Sequence, residues 1–362
     1  MPKIFSDIYK GKRVLVTGST GFKGSWLVIW LKILGADVAG LSNDIPTKPS
    51  NYEISGLGKK VKQYWVDIRD YQSVENVLTS FNPDMVFHLA ARALVRESLR
   101  EPRETFETNT LGTVNVLEAL RNYKKRIPAV IITSDKCYRN LDWEWGYREN
   151  DELGGNDPYS ASKGAAELVC RSYASTYNLP IVTTRAGNVI GGGDWAHDRI
   201  IPDCVRAWSA GKIPLIRQPK ATRPWQHVLE SASGYLWLGA KLLKNPDKFS
   251  GQAYNFGPNV QKDYLVIDLV SALNKYWPSV RWQEGKNEEV TKGEYRFLKL
   301  NCDKALAHLK WHAVLNFEQM VKMTADWYLH YYKKRGDMYA FSAGQILEYI
   351  KIARKQKVPW IK

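Results

Sequence analysis

A short apolar run, Arg13-Val-Leu-Val-Thr17, ends directly in Gly18-Ser-Thr20-Gly21-Phe22-Lys23-Gly24, and a helical pattern then runs from about Lys23 to Leu34. A buried strand that turns through glycines three apart into a helix constrains this fold more than any other stretch. The glycines permit a tight turn and let backbone N–H groups approach a pyrophosphate, and the helix N-terminus adds partial positive charge. The spacing is G-x-x-G-x-x-G, not the G-x-G-x-x-G of many dinucleotide loops. Alone it could be a glycine-rich turn; between a buried strand and a helix at the start of a sheet it points to a dinucleotide.

The same alternation continues. Strands are expected at Asp37–Leu41, Lys62–Val66, Met85–Leu89, Ala129–Thr133 and Ile181–Arg185. Helices are expected at about Tyr71–Ser80, Arg103–Tyr123 and Pro158–Tyr177. This βαβα order predicts an α/β fold with a doubly wound parallel sheet of the Rossmann type. Beyond Gly187 the pattern loosens, with Gly191-Gly-Gly-Asp-Trp195 and prolines at 214, 219 and 224. A helix at about Glu230–Leu243 and a strand before Gly257-Pro258 return to the sheet. The predicted division is a dinucleotide domain of 1–187 and about 224–258, and a smaller mixed α/β C-terminal lobe of about 188–223 and 259–335 that takes substrate. Residues 336–362, with the dense run Lys351 to Lys357, read as a basic, solvated tail helix. Ligands are expected in the cleft at the carboxyl ends of the strands.

The 362 residues are 44% hydrophobic, enough for a sizeable core. No apolar run approaches the roughly 20 residues of a membrane span, and the start lacks a signal peptide's apolar stretch, so a cytoplasmic protein is expected. The net charge of +15 is spread along the chain. That favours an anionic small substrate over nucleic acid or a membrane. The four cysteines lie far apart without metal-type spacing, and no metal site is expected.

Asp157-Pro158 supplies an N-cap and first-position proline for a helix that carries Tyr159 and Lys163 four residues apart, on one face. A phenol with a nearby ammonium can act as a base on a hydroxyl, the ammonium lowering the phenol's pKa. Thr133-Ser134-Asp135-Lys136 closes an apolar run with a hydroxyl, an acid and an amine. On an extended strand Asp135 would point away from Ser134 and Lys136. The strand is therefore expected to end near Ser134 so that all three converge on Tyr159.

These stretches, together with Phe87-His-Leu-Ala-Ala91, Trp145-Gly-Tyr-Arg-Glu-Asn150, Arg185-Ala-Gly-Asn-Val-Ile-Gly-Gly-Gly-Asp-Trp195 and Arg223-Pro-Trp-Gln-His227, carry a resemblance. The chain resembles the extended short-chain dehydrogenases/reductases, and within them the nucleotide-sugar 4,6-dehydratases. Members acting on other nucleotides generally have Thr-Asp-Glu where this chain has Ser134-Asp135-Lys136. The lysine and the Gly-Phe-Lys-Gly loop point to the branch that takes CDP-glucose or a related nucleotide hexose. Arg92-Ala93 departs from the family's Gln-Pro, near the expected sugar pocket. The resemblance implies NAD as cofactor and a homodimer or homotetramer formed through the helices near 103–123 and 158–177. It further implies that Tyr159 takes the C4 hydroxyl proton while Ser134 holds that hydroxyl, and that Asp135 protonates the leaving C6 hydroxyl. Lys136 either takes the C5 proton or stabilises the resulting enolate. At an ordinary pKa only about one lysine in 2,500 is neutral at pH 7, a cost of roughly 4.6 kcal/mol for the first role. The rival expectations are a 4-epimerase, which needs no Asp135-Lys136 pair, a dehydratase for another nucleotide hexose, and a non-catalytic binding protein.

The candidate cofactor residues are Gly18, Thr20, Gly21, Phe22, Lys23 and Gly24 in the turn; Ser42, near where an acid usually holds the ribose; Asp67 and Ile68 for adenine; the small-residue run Leu89, Ala90 and Ala91; Asn109; and Tyr159 and Lys163. No arginine is expected at the second strand's end for a 2′-phosphate, which favours NAD over NADP. The candidate substrate residues are Arg199 and Arg223 for the phosphates, Asn188, which the resemblance places at the sugar diphosphate, Arg96, and Glu294 and Tyr295 near the nucleotide. Trp143, Trp145 and Tyr147 either cover the sugar or pack a loop.

Overall fold

The computed structural model describes residues 4–259, 264–277, 281–285, 297–334 and 336–361. Six strands follow the expected order: β1 (Arg13–Thr17), β2 (Asp37–Ser42), β3 (Lys62–Trp65), β4 (Met85–His88), β5 (Ala129–Ile132) and β6 (Ile181–Ala186). Three short strands follow, β7 (Val189–Ile190), β8 (Leu215–Ile216) and β9 (Gln226–His227), then β10 (Ala253–Phe256) and β11 (Gln283–Glu284). The main sheet runs β3-β2-β1-β4-β5-β6-β10 with every pairing parallel. The chain winds outward from β1 to β3, then reverses from β4 to β10. The reversal leaves a crevice beyond the carboxyl ends of β1 and β4. Outside this sheet, β7 pairs with β9 and β8 with β11.

Side chains alternate across the sheet and supply two cores. Val14, Val16, Met85, Phe87, Val130 and Ile132 face the helices Phe22–Ile33, Val228–Lys244 and Met338–Lys355. Leu15, Val86, Ala129, Ile131 and Ile181 face the helices Tyr71–Phe81, Gly112–Asn122 and Pro158–Tyr177.

Two expectations need correction. The tail is not a solvated appendage. Lys351, Arg354 and Lys355 are exposed, but Ile346, Tyr349, Ile350 and Ala353 on the same helix are buried in the first core. Tyr349 Oη donates to the buried Glu230 Oε2 at 2.6 Å, and Trp360 stacks on Phe5 with ring centroids 5.2 Å apart. Charge density described one face of this helix, and the apolar stripe on the other face decides where it goes. The single helix expected over Arg103–Tyr123 is three segments: Pro102–Phe106, a π-helical turn Glu107–Leu111, and Gly112–Asn122. Such widened turns release a side chain from regular register, and here Asn109 turns inward.

Candidate active site

The loop after β1 forms the expected cradle. Gly18 has φ +68°, and a Cβ there would lie 2.7 Å from the Ala90 nitrogen. A Cβ on Gly24 would lie 2.0 Å from the Gly18 oxygen. The turn therefore needs glycine at both positions, and its N–H groups open the Phe22–Ile33 helix. A cavity of about 490 Å³ is lined by Gly18, Thr20, Gly21, Phe22, Lys23, Gly24, Ser42, Asp67, Ile68, Leu89, Ala90, Ala91, Tyr159 and Lys163. Backbone closeness at Gly18, a helix N-terminus and a small-residue wall at Leu89–Ala91 fit a dinucleotide. At the ribose end, Ser42 Oγ is engaged by the loop, lying 3.2 Å from Ser19 Oγ and accepting from the Thr20 nitrogen at 3.3 Å. Asn43 and Asp44 line the cavity beside it. Asp67 is held by Arg69, whose Nη2 donates to Oδ2 at 2.7 Å. Arg69 does not line the cavity.

Asn109 does not line it either. Its side chain accepts from the Arg92 nitrogen at 2.8 Å and donates to the Arg92 oxygen and Ser162 Oγ at 3.0 and 2.9 Å. It shapes the wall rather than facing the cavity. Arg92 lines the dinucleotide cavity, not the sugar side, and pairs with Glu104 at 2.7 Å.

A second cavity of about 340 Å³ adjoins the first. Lys23, Thr133, Tyr159, Asp194 and Arg199 line both, so the two meet at the phenol. Ser134, Asp135, Lys136, Arg96, Asn188 and Arg223 line the second. The convergence works as the sequence required. The strand stops at Ile132, Ser134 remains extended, and Asp135–Cys137 form one 3-10 turn. Ser134 Oγ accepts from the Lys136 nitrogen at 3.2 Å and donates to Asp135 Oδ1 at 3.0 Å. The turn breaks the strand's alternation and brings Asp135 onto the Tyr159 side. Gly187 makes room for it: a Cβ there would lie 3.0 Å from Asp135 Oδ2 and 2.8 Å from Pro224 Cγ. Asp157 caps the Pro158–Tyr177 helix, accepting from the Ser160 nitrogen at 2.9 Å, with Pro158 in the first position.

Burial governs the titrations here. It raises the Asp135 carboxyl, against the pull of Lys136, the Ser134 hydroxyl and Lys23. It lowers Lys163 to about 8. It also lowers Lys23 to about 8, aided by the Arg199 and Lys163 charges and opposed by Asp135 and Asp194. Tyr159 is pushed up to about 12 by burial; the Ser134 hydroxyl and Arg199 act the other way, and the Asp135 charge adds to the rise. The expected depression of the phenol by Lys163 is therefore not produced by this chain alone. Lys163 Nζ donates to the Ile132 oxygen at 3.2 Å, a backbone anchor.

The arginines are held by acids. Arg199 pairs with Asp194 at 2.9 Å, and Arg96 and Arg217 reach one carboxylate oxygen of Asp198 at 3.1 and 3.0 Å. Arg217, Asp198, Asp194, Asn43 and Gly187 escaped the sequence reading because they sit in irregular loops without a local pattern. The sequence places Lys23 at the cofactor; its reach into both cavities depends on packing. Glu294 and Tyr295 lie outside the described residues. Trp143 and Tyr147 pack the loop: their rings stack at 5.2 Å in a separate small core with Tyr138 and Leu298, while Trp145 is 70% exposed. A larger groove of about 760 Å³, lined by Arg148, Glu167 and Lys304, receives none of Ser134, Asp135 or Tyr159.

The family model for GDP-mannose 4,6 dehydratase matches residues 15–324. A CDP-glucose 4,6-dehydratase of Salmonella typhimurium is 41% identical over 96% of this chain and 98% of its own length. A dTDP-glucose 4,6-dehydratase of Xanthomonas campestris pv. campestris is 30% identical over 87% of this chain and 92% of its own. Among solved structures, a Thermus thermophilus UDP-glucose 4-epimerase complexed with NAD superposes with a TM-score of 0.75 at 27% identity, covering 87% of this chain and 98% of that one.

Proposed function

This chain belongs to the GDP-mannose 4,6 dehydratase family, and on that premise we propose that it is an NAD-dependent lyase converting CDP-glucose to CDP-4-keto-6-deoxyglucose with loss of water. The observation that carries this reading is the 3-10 turn that sets Asp135 and Lys136 beside Ser134 and Tyr159. Oxidation and re-reduction at C4 need only the hydroxyl and the phenol. An acid placed to protonate a leaving hydroxyl is what elimination adds. The choice of CDP-glucose is supported by the Ser134-Asp135-Lys136 sequence and by the 41% identical relative.

Bound NAD supplies the acceptor for the C4 hydride and its later donor at C6. Gly18, Gly21 and Gly24 would hold its pyrophosphate, with Leu89–Ala91 and Tyr159 along its length. Tyr159 takes the C4 hydroxyl proton, and Ser134 orients that hydroxyl. A phenol at about 12 is ionised in about one molecule in 10⁵ at pH 7, a cost of roughly 7 kcal/mol. Nearby cations must reduce that cost, and Arg199 is one already acting. The C4 ketone acidifies C5. Asp135, whose carboxyl is raised by burial, donates its proton to the C6 hydroxyl as it leaves. Lys136, on the same wall, takes the C5 proton or stabilises the enolate oxygen. Lys23, Arg96, Arg199, Arg217 and Arg223 give the second cavity the positive lining a diphosphate needs.

Turnover against CDP-, dTDP-, GDP- and UDP-hexoses with added NAD tests the reading. A product lighter by one water from CDP-glucose supports it; an isobaric product means epimerisation instead. The assembly that accompanies this reading is a cytoplasmic homodimer or homotetramer. Phe106, Leu111, Leu168 and Tyr177, exposed on the 102–122 and 158–177 segments, support that pairing, and sedimentation velocity tests it. No helix among the described residues is long and apolar enough to cross a membrane.

A further inference from the structure

We propose that Glu167 and Arg185 are positioning residues for the dehydration: as one buried hydrogen-bonded unit they clamp both ends of the Ser134–Cys137 segment to the helix that carries Tyr159 and Lys163. The proposal rests on the dehydratase reading above.

Tyr159, Lys163 and Glu167 follow one another at four-residue steps, so they share a face of the Pro158–Tyr177 helix. Lys163 anchors that helix to the Ile132 oxygen. One turn on, Glu167 Oε1 accepts from the hydroxyl of Thr133, the residue just before Ser134. Its other oxygen accepts from Thr183 Oγ1 and Arg185 Nη2, both at 2.8 Å. Arg185 Nη1 then donates to Tyr138 Oη at 2.8 Å and to the Glu149 oxygen at 3.1 Å, and its guanidinium lies 4.8 Å from the Tyr138 ring centroid. Tyr138 is the residue just after the 3-10 turn. The segment holding the hydroxyl, the acid and the lysine is thus held before its start through Glu167 and after its end through Arg185.

Stability alone does not account for the pair. Its side chains are only 4% and 3% exposed, and a buried ion pair is no more stabilising than well-packed apolar groups of the same shape. Its directionality distinguishes it from an apolar filling. Three hydrogen bonds, one from the end of β5 and two from β6, meet one helix position, and all are side-chain bonds that an apolar replacement lacks. Charge matters too. Lys163 is faced by Cys170 and Glu167 from its own helix, Cys137 from the 3-10 turn, His88 from β4 and Lys23 from the Phe22–Ile33 helix. Cys170, Glu167 and Cys137 support the ammonium against burial, and Glu167 is the carboxylate among them.

The test uses the full-length protein with NAD and CDP-glucose, and variants Thr133→Val, Thr133→Ser, Tyr138→Phe and Glu167→Gln. Thr133→Val and Tyr138→Phe each release one end and keep the packing shape. Each is expected to lower kcat roughly ten- to hundredfold, the scale on which misplacement by about 1 Å acts, with KM nearly unchanged. Thr133→Ser restores the hydroxyl and should restore kcat. In Glu167→Gln the alkaline limb of the kcat profile should move to lower pH, because Lys163 loses its supporting charge. Hydrogen exchange over residues 133–138 should quicken in Thr133→Val and Glu167→Gln, a readout that needs no turnover. A wild-type protein inert towards CDP-glucose would overturn the dehydratase reading, and the exchange data would still decide the clamp. Folded variants with wild-type kcat, pH limb and exchange, differing only in melting temperature, would overturn the clamp.

Discussion

Replacing Asp135 by asparagine should separate the two halves of the reaction. The carboxyl is buried, its Oδ1 accepts from Ser134 Oγ at 3.0 Å, and its Oδ2 has no partner among the described residues. Asparagine keeps that shape and the Ser134 contact. Its amide nitrogen would take the unpartnered place, a stability loss of about 1–3 kcal/mol that the fold can absorb. What disappears is the proton donor. General acid catalysis contributes about 10²–10⁴ in rate, equal to about 2.7–5.4 kcal/mol on the elimination barrier at 1.36 kcal/mol per decade. Proton removal from the C4 hydroxyl should not suffer. That step belongs to Tyr159 and Ser134, which the substitution leaves in place. Net dehydration should therefore fall about 10²–10⁴-fold, while the near-ultraviolet absorbance of reduced cofactor rises on mixing with CDP-glucose to an amount approaching the enzyme concentration. Stopped-flow absorbance and product mass read the two halves separately. Turnover within about threefold of wild type would refute the acid assignment. Loss of both signals in a folded variant would refute the separation of roles.

Three further outcomes follow from the geometry. Gly18→Ala places a Cβ 2.7 Å from the Ala90 nitrogen at φ +68°, where left-handed backbone alone costs an L-residue about 1–2 kcal/mol; NAD affinity by fluorescence titration should drop at least about tenfold. Glu230 is pushed up to about 7 by burial, so the folded chain holds that proton more tightly than the unfolded one. Its contribution is fully present below the unfolded value near 4.5 and fades as pH rises to 7, by roughly 3 kcal/mol; Glu230→Gln should flatten that part of the stability–pH curve in denaturant melts, and an unchanged slope would count against it. Trp360→Ala removes a fully buried ring stacked on Phe5 and Tyr349 and should destabilise by about 3–5 kcal/mol, whereas a solvated tail would show no loss.

The parts of the site legible in the sequence are those governed by short-range signals. The glycine turn, the Asp157-Pro158 cap and the four-residue step from Tyr159 to Lys163 each act within one turn of chain, and the structure keeps all three. Arg96 is readable as charge but not as half of a pair, because its partner Asp198 lies 102 residues away. Asn109 is expected against the cofactor; the π-helical turn directs it to Arg92 and Ser162 instead. A one-residue widening of a helix leaves no periodic trace.

By itself the sequence determined the order of strands and helices, the glycine turn and the four-residue step from Tyr159 to Lys163, since propensity, capping and periodicity are properties of neighbouring residues. Tertiary structure alone decided that Asp135 faces Tyr159, that Glu167 and Arg185 brace the two ends of its turn, and that the last helix is core. Those outcomes depend on partners as distant as Glu230 and Tyr349, 119 residues apart. They are set by which buried polar groups can be satisfied once the two cores close on the sheet, a condition no local window contains.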